Sequence, residues 1–316
     1  MTRAVGSGEA QSAAAVLMVR PAHFCANTET AASNFFQHTG TGHEPLLTAA
    51  ARAEFDTLAA ALERAGIEVI VCADSALPPK PDAVFPNNWV SFHADGSAVL
   101  YPLLAPSRRA ERREQVLEAV GERFRIRRTI DLSEREHEGK YLEGTGSLVL
   151  DRVNHLAYAC LSPRTHLDAL ADFAQELDYE LVTFEAQDRH GRAIYHTNVM
   201  MAVGREFAVV CGASIAEARH REAVQARLQA TGHEIIDITL EQMQAFAGNL
   251  LELASPGGAV ILVSSTAWAS LAADQRAALE RHGSPLVGAI PQIERHGGGS
   301  VRCMVAEVHL PRRLLR

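Results

Sequence analysis

The run Gly297-Gly298-Gly299-Ser300-Val301-Arg302-Cys303-Met304-Val305 lies near the end of a 316-residue chain. Three glycines and a serine make a loop with few backbone restrictions. The apolar Met304-Val305-Ala306 that follows reads as a buried strand. A thiol where a flexible loop enters a strand can be reached by a substrate and is held rigid by the sheet behind it. That is the placement of a covalent nucleophile. Cysteine is also often buried for packing alone, so the reading needs support from elsewhere in the chain.

Working back from this loop, three more segments put polar residues just before an apolar run. They are Pro81-Asp82-Ala83-Val84-Phe85-Pro86-Asn87-Asn88-Trp89, Tyr141-Leu142-Glu143-Gly144-Thr145-Gly146 and Ile194-Tyr195-His196-Thr197-Asn198-Val199. Between them, helical periodicity runs through Phe55, Leu58 and Leu62; through Val116, Val120 and Phe124; and through Leu167, Leu170 and Phe173. It recurs from Ala218 to Leu228 and at Leu271 and Leu279. Hairpin signals join Trp89–Phe92 to Ala98–Tyr101, Ser147–Leu150 to His155–Cys160, Val199–Val203 to Phe207–Cys211, and Leu251–Ala254 to Val260–Val263. Hairpin, helix and strand thus recur about five times at roughly 60-residue spacing, which predicts units closing around a shared axis. Strand starts would converge on that axis and form a pocket there.

Composition bounds the function. A 47% apolar and 22% charged chain of net charge −8 is an ordinary globular protein, and the acidic balance with 6% aromatics argues against nucleic-acid binding. No run is long enough to span a membrane. Residues 1–15 are Ala/Ser/Gly-rich and are expected to be a disordered lead-in, with one catalytic domain over residues 16–316. Five cysteines without paired spacing suggest free thiols in a reducing compartment, with a cytoplasmic location as the default. The histidines show no metal-ligand spacing, so no metal is expected.

A thiol, an imidazole, a carboxylate and neutral amides are the parts needed to attack a planar sp² carbon. Serine hydrolase, P-loop and dinucleotide fingerprints are missing. Taken singly, Asn87-Asn88 reads equally as a turn, Glu143 as a loop carboxylate and His196 as a satisfied core histidine.

At these residues the chain resembles the pentein superfamily, the amidinotransferase and arginine deiminase group of guanidino-modifying enzymes. The segment from Gly297 to Met304 is similar to the arginine deiminase nucleophile loop. Leu142-Glu143-Gly144 is similar to the family's acidic station, and His196 to its general acid/base. Ala105 to Glu111 resembles the dimethylargininase segment whose first arginine holds the substrate carboxylate; Leu161 to Thr165 resembles the segment with the second such arginine. The Phe85–Trp89 and Leu142–Arg152 motifs look most like the citrulline utilization hydrolase (CtlX) group. The resemblance implies an α/β fold: a single-domain, five-bladed propeller of ββαβ repeats.

It also implies a cofactor-independent enzyme acting on a small amino-acid substrate, with no membrane or nucleic-acid partner and homo-oligomerisation left open. Cys303 would be the nucleophile and His196, oriented by Glu143, the acid/base. Asn88, Asn198 and Asp82 would hold the planar head, and Arg108 and Arg164 the α-carboxylate. Arg109 competes with Arg108 for that duty.

Two positions depart from the family pattern. Members acting on guanidinium usually carry aspartate where this chain has Asn88 and Asn198. A guanidinium offers only donors, which suits carboxylates, whereas a ureido group also carries an acceptor, which suits amides. The expectation is therefore hydrolysis of citrulline to ornithine, ammonia and carbon dioxide. The alternatives are arginine deiminase or dimethylargininase activity, or amidino transfer. A further one is a non-catalytic ring scaffold like a related translation initiation factor, against which the Cys, His and Glu speak.

Overall fold

A first strand, β1 (Ala15–Arg20), pairs in parallel with β2 (Glu68–Ala73), which the chain reaches over the long helix Glu44–Arg64. In this computed structural model, which describes residues 9–38 and 44–313, the next four units share one plan. Each opens with an antiparallel hairpin and closes with a third strand parallel to the second. The units are β3 (Val90–Phe92), β4 (Ser97–Leu100) and β5 (Arg128–Asp131); β6 (Val149–Asp151), β7 (Leu156–Cys160) and β8 (Glu180–Phe184); β9 (Met201–Val203), β10 (Phe207–Val210) and β11 (Glu234–Asp237); and β12 (Leu251–Ser255), β13 (Gly258–Ser264) and β14 (Ser284–Gly288). A last strand, β15 (Ala306–Glu307), runs antiparallel to β1. It supplies the inner strand that the first unit lacks, so the two ends of the chain close the ring.

Helices cover the third strands because their apolar stripes need a partner. In the helix Leu167–Leu177, Ala169, Leu170 and Phe173 form the buried face. Its first turn is capped by the His166 ring nitrogen accepting from the Asp168 N–H, and it ends at Asp178 in the left-handed region. The inner strands face the axis: β3 lies against β15, and β9 touches both β6 and β12. The five sheets therefore make the mixed α/β, five-bladed arrangement that the repeat pattern predicts.

Three expectations are corrected. The strand after Cys303 does not begin at Met304: residues 301–304 form a turn, and pairing starts at Ala306. Three of the four hairpins likewise start later than predicted, because one helical turn precedes them, as in Gly144–Ser147 and Thr197–Met200, whereas the fourth starts at Leu251 as expected. The lead-in expected over 1–15 lies partly outside the described residues, since 1–8 are not among them, and residues 9–14 are ordered. Gln11 donates to Leu150 O (2.9 Å) and Val203 O (3.0 Å), and its Oε1 accepts from the Arg152 N–H (2.8 Å). One amide thus satisfies backbone groups of two neighbouring blades, a role that composition cannot reveal.

Candidate active site

The helical turns before the inner strands carry the predicted polar stations to one end of the axis. A cavity of about 280 Å³ opens there. Six of the eight predicted site residues line it: Asp82, Asn88, Arg108, Arg164, His196 and Cys303. Glu143 stands directly behind His196, fully buried. Asn198 is the exception. It lies on the far side of the sulfur, in the wall of a second cavity of about 330 Å³ shared with Gln11, Arg302 and Glu307. Two residues beyond His196 on a helical turn, it does not line the first cavity, and its Nδ2 reaches Cys303 Sγ at 3.5 Å.

His196 Nε2 lies 2.9 Å from Glu143 Oε2. Burial alone would raise the carboxyl's pKa, but Arg164 at 3.3 Å, the His196 contact and Arg108 at 3.7 Å outweigh it and hold Glu143 well below the usual carboxylate range. Burial lowers His196 to about 4; Glu143 opposes this, and Arg164 and Arg108 add to it. The resting pair is therefore carboxylate and neutral imidazole. Nε2 carries the hydrogen to the carboxylate, and Nδ1 is left as the proton-transfer atom.

Gly146 makes this packing feasible. A Cβ there would come within 2.8 Å of His196 Nδ1 and Cε1 and would also collide with Asn88 Nδ2. Gly146→Ala is expected to displace both side chains and lower kcat about 100-fold, in line with the cost of a misplacement of about 1 Å. Steady-state kinetics beside a melting curve checks this; an unaltered kcat would contradict the packing.

The nucleophile loop is fixed by its own chemistry. The helix Pro291–Gly297 ends at Gly298, φ 64°, whose missing Cβ makes room for the Asn34 side chain and the Gln37 N–H. Ser300 Oγ donates to Glu294 Oε1 at 2.6 Å, and the Cys303 N–H reaches Ser300 O at 2.9 Å.

The two arginines hold protein groups as well as lining the cavity. Arg108 donates to Glu111 through Nε and Nη2 (both 2.9 Å), to Asn88 Oδ1 (2.8 Å) and to Phe85 O (3.3 Å). Arg164 donates to Ser33 Oγ, Thr30 O and Glu143, and stacks over Tyr195 at 4.9 Å. Arg109 is outside the wall, on Leu103 O and Glu136. Sequence reasoning missed Asn27, which donates to Asp82 Oδ2 (2.8 Å), and Glu111, although an Arg–Glu pair three apart is a visible signal. It also missed Asn249, 3.2 Å from Cys303 Sγ.

A family model described as N,N dimethylarginine dimethylhydrolase, eukaryotic, matches residues 20–310. The chain belongs to this family. It is thereby a member of the pentein superfamily and a hydrolase of non-peptide C–N bonds. No curated protein matches it by sequence. Among solved structures, the chain is similar to the substrate-bound N-terminal domain of ArgZ, an arginine dihydrolase of Cyanobacteria. There the TM-score is 0.72 at 16% identity over 94% of this chain and 98% of that domain. It also resembles AgrE in complex with L-arginine (TM-score 0.72, 17% identity, 95% of this chain, 40% of AgrE). A dimethylarginine dimethylaminohydrolase carrying an S-methyl-L-thiocitrulline adduct matches with TM-score 0.64 at 16% identity, over 92% of this chain and 98% of that one. The chain thus spans about two fifths of the full-length ArgZ and AgrE chains. At these identities the likeness is one of fold.

Proposed function

We propose that this family member is a single catalytic domain over residues 16–316 that hydrolyses the terminal ureido group of an amino acid, citrulline first. The observation that carries this reading is the orientation of Asn88. Arg108 can only donate, so its 2.8 Å contact fixes the Asn88 oxygen toward the guanidinium. The amide nitrogen of this cavity-lining residue is buried beside Gly146 and unpaired, a donor left over for a bound group. A donor at that place suits a carbonyl oxygen, which a ureido group has and a guanidinium lacks. Asp82 Oδ1, also unpaired, would accept from the terminal NH₂. The Phe85–Trp89 and Leu142–Arg152 motifs, which resemble those of the citrulline utilization hydrolase (CtlX) group, support this reading.

The chemistry follows from the residues. The Cys303 thiol gives its proton to His196 Nδ1, and the sulfur bonds to the ureido carbon. The imidazolium then protonates the departing nitrogen, ammonia or the ornithine amine, and the C–N bond breaks. His196, neutral again, takes a proton from water; the hydroxide attacks the adduct, the C–S bond breaks and the thiolate recovers the proton. The released carbamate falls apart to amine and carbon dioxide. Glu143 stabilises each imidazolium. Arg108 and Arg164 supply positive charge for an α-carboxylate while keeping Glu143 ionised and Asn88 oriented. Five free cysteines suit a reducing, cytoplasmic setting, and no helix among the described residues is long and apolar enough to cross a membrane.

A guanidino substrate is the second reading, favoured by Asp82 in the wall and by the name of the matching family. Ammonia and ornithine are to be assayed from citrulline, with arginine and N,N-dimethylarginine in parallel. Citrulline is expected to be the preferred substrate. Asn88→Asp keeps an oxygen for Arg108 but turns the unpaired donor into an acceptor. Its kcat/KM on citrulline is expected to fall about 100-fold, the cost of an unpaired or repelled buried carbonyl. The ratio of arginine to citrulline turnover is expected to rise. Strong arginine turnover by the parent with none on citrulline would remove the amide argument.

A further inference from the structure

Five repeats call for five polar stations, and the sequence reading found four. The fifth is Phe246-Ala247-Gly248-Asn249-Leu250, a turn directly before β12. Gly248 presses this turn onto the turn that carries Asn198: a Cβ there would lie 2.5 Å from Val199 O and 2.7 Å from the Met200 carbonyl carbon. Asn249 is fully buried. Its Oδ1 accepts from the Arg302 N–H at 3.2 Å, a group that can only donate, so the amide nitrogen must face the other way. Nδ2 then has one hydrogen for Asn198 O at 3.0 Å and the other for Cys303 Sγ at 3.2 Å. Asn198 Nδ2 adds a second donor 3.5 Å from the same sulfur. Among the described residues, only these two amides donate to Sγ.

We propose that Asn249, seconded by Asn198, is a catalytic residue that stabilises the anionic sulfur of Cys303, as attacking thiolate and again as the leaving group when the adduct hydrolyses. This rests on the proposed function only in taking Cys303 as the nucleophile. Hydrogen bonds to an anion are roughly twice as strong as neutral ones, and the Asn249 amide is held in place by the Arg302 N–H and Asn198 O, so it needs no rearrangement when charge develops. The other charged or titratable groups around the sulfur are His196, Asp82, Arg108 and Arg164 across the cavity, Tyr195 beside them, and Arg302. The Arg302 guanidinium is turned away, to Glu307 (2.9 Å) and Val305 O (3.2 Å). The reading also accounts for Asn198, which departs from the family's aspartate yet stands behind the sulfur rather than on the substrate side. A carboxylate there would repel the thiolate.

The test is the rate of Cys303 alkylation by iodoacetamide, followed by peptide mass mapping, across a pH series. Parent, Asn249→Ala, Asn249→Asp and Asn198→Ala proteins are compared, with far-UV circular dichroism as the folding control. At pH 7 Asn249→Ala is expected to react about 10-fold more slowly than the parent, the worth of one hydrogen bond to a charged group. Asn249→Asp is expected to be slower still and Asn198→Ala less affected. All rates should converge at high pH, where every variant is ionised. Folded Asn249 variants that react at the parental rate, or that are slowed equally at every pH, overturn the proposal. Should both Asn249 variants lose their structure, Asn198→Ala decides, and a parental rate there overturns it as well. Failure of the citrulline reading shows separately, as a parent enzyme that alkylates normally and leaves citrulline untouched.

Discussion

Cys303→Ala is expected to stop ammonia release from citrulline, with a loss in kcat on the order of 10⁴-fold or more, as for other enzymes stripped of their nucleophile. No second thiol can take over. Burial pushes Cys160 up to about 12 and Cys211 up to about 11, and neither these, Cys72 nor Cys25 lines the cavity. The loss should not come from unfolding. The sulfur sits at the edge of an apolar cluster with Phe24, Phe85, Val301 and Met304, and trimming one atom there costs only about 1 kcal/mol. Citrulline binding by calorimetry should persist in this variant while turnover disappears. Residual activity within tenfold of the parent would mean that a different group attacks.

The second large effect is expected at Glu143, where catalysis and stability are joined. Glu143→Gln removes the anion on which His196, Arg164 and Arg108 converge. Leaving two arginines in a buried site without that partner should cost about 3–5 kcal/mol of folding stability. Loss of the imidazolium's support should lower kcat by about 10²–10⁴-fold. The pH dependence carries a definite sign. Glu143 and His196 both have folded pKa values below their unfolded ones, so their contribution is present above the unfolded values and is lost as pH falls. For His196 the loss runs from pH 6.5 down to about 4 and amounts to about 3 kcal/mol; for Glu143 it begins near 4.5 and continues below. The parent should therefore lose urea resistance steadily on acidification through this window, and Glu143→Gln should lack its lower, carboxylate part. A parent whose unfolding midpoint stays flat from pH 7 to 4 would show that the pair is not buried as described.

The fold and most of the site were legible for a simple reason. Hairpin turns such as Asp95-Gly96, and polar residues set just before apolar strands, repeat, and a repeat is detectable without knowing contacts. Cys303, His196 and Glu143 stood out because their side chains are chemically rare in such places. Asn249 was not legible: Gly-Asn before a strand reads as a turn, and only the mismatch between five repeats and four stations points to it. Gln11 was hidden for a related reason, because it acts on backbone groups of blades distant in sequence, which leave no trace in local composition. The clamped arginines illustrate a third limit. Arg108 and Arg164 were read as carboxylate binders, yet Glu111 clamps Arg108 from three residues away, and the Arg164 partners Ser33 and Thr30 come from a turn whose meeting with it only the closed ring determines.

Intact-mass spectrometry of enzyme acid-quenched during citrulline turnover, with the modified peptide sequenced, tests the central claim most directly. A mass increase confined to the peptide bearing Cys303, absent in Cys303→Ala and accumulating in Glu143→Gln if water activation is slowed, is the predicted result. Citrulline consumed with that peptide unmodified, or with the added mass on another cysteine, would contradict it.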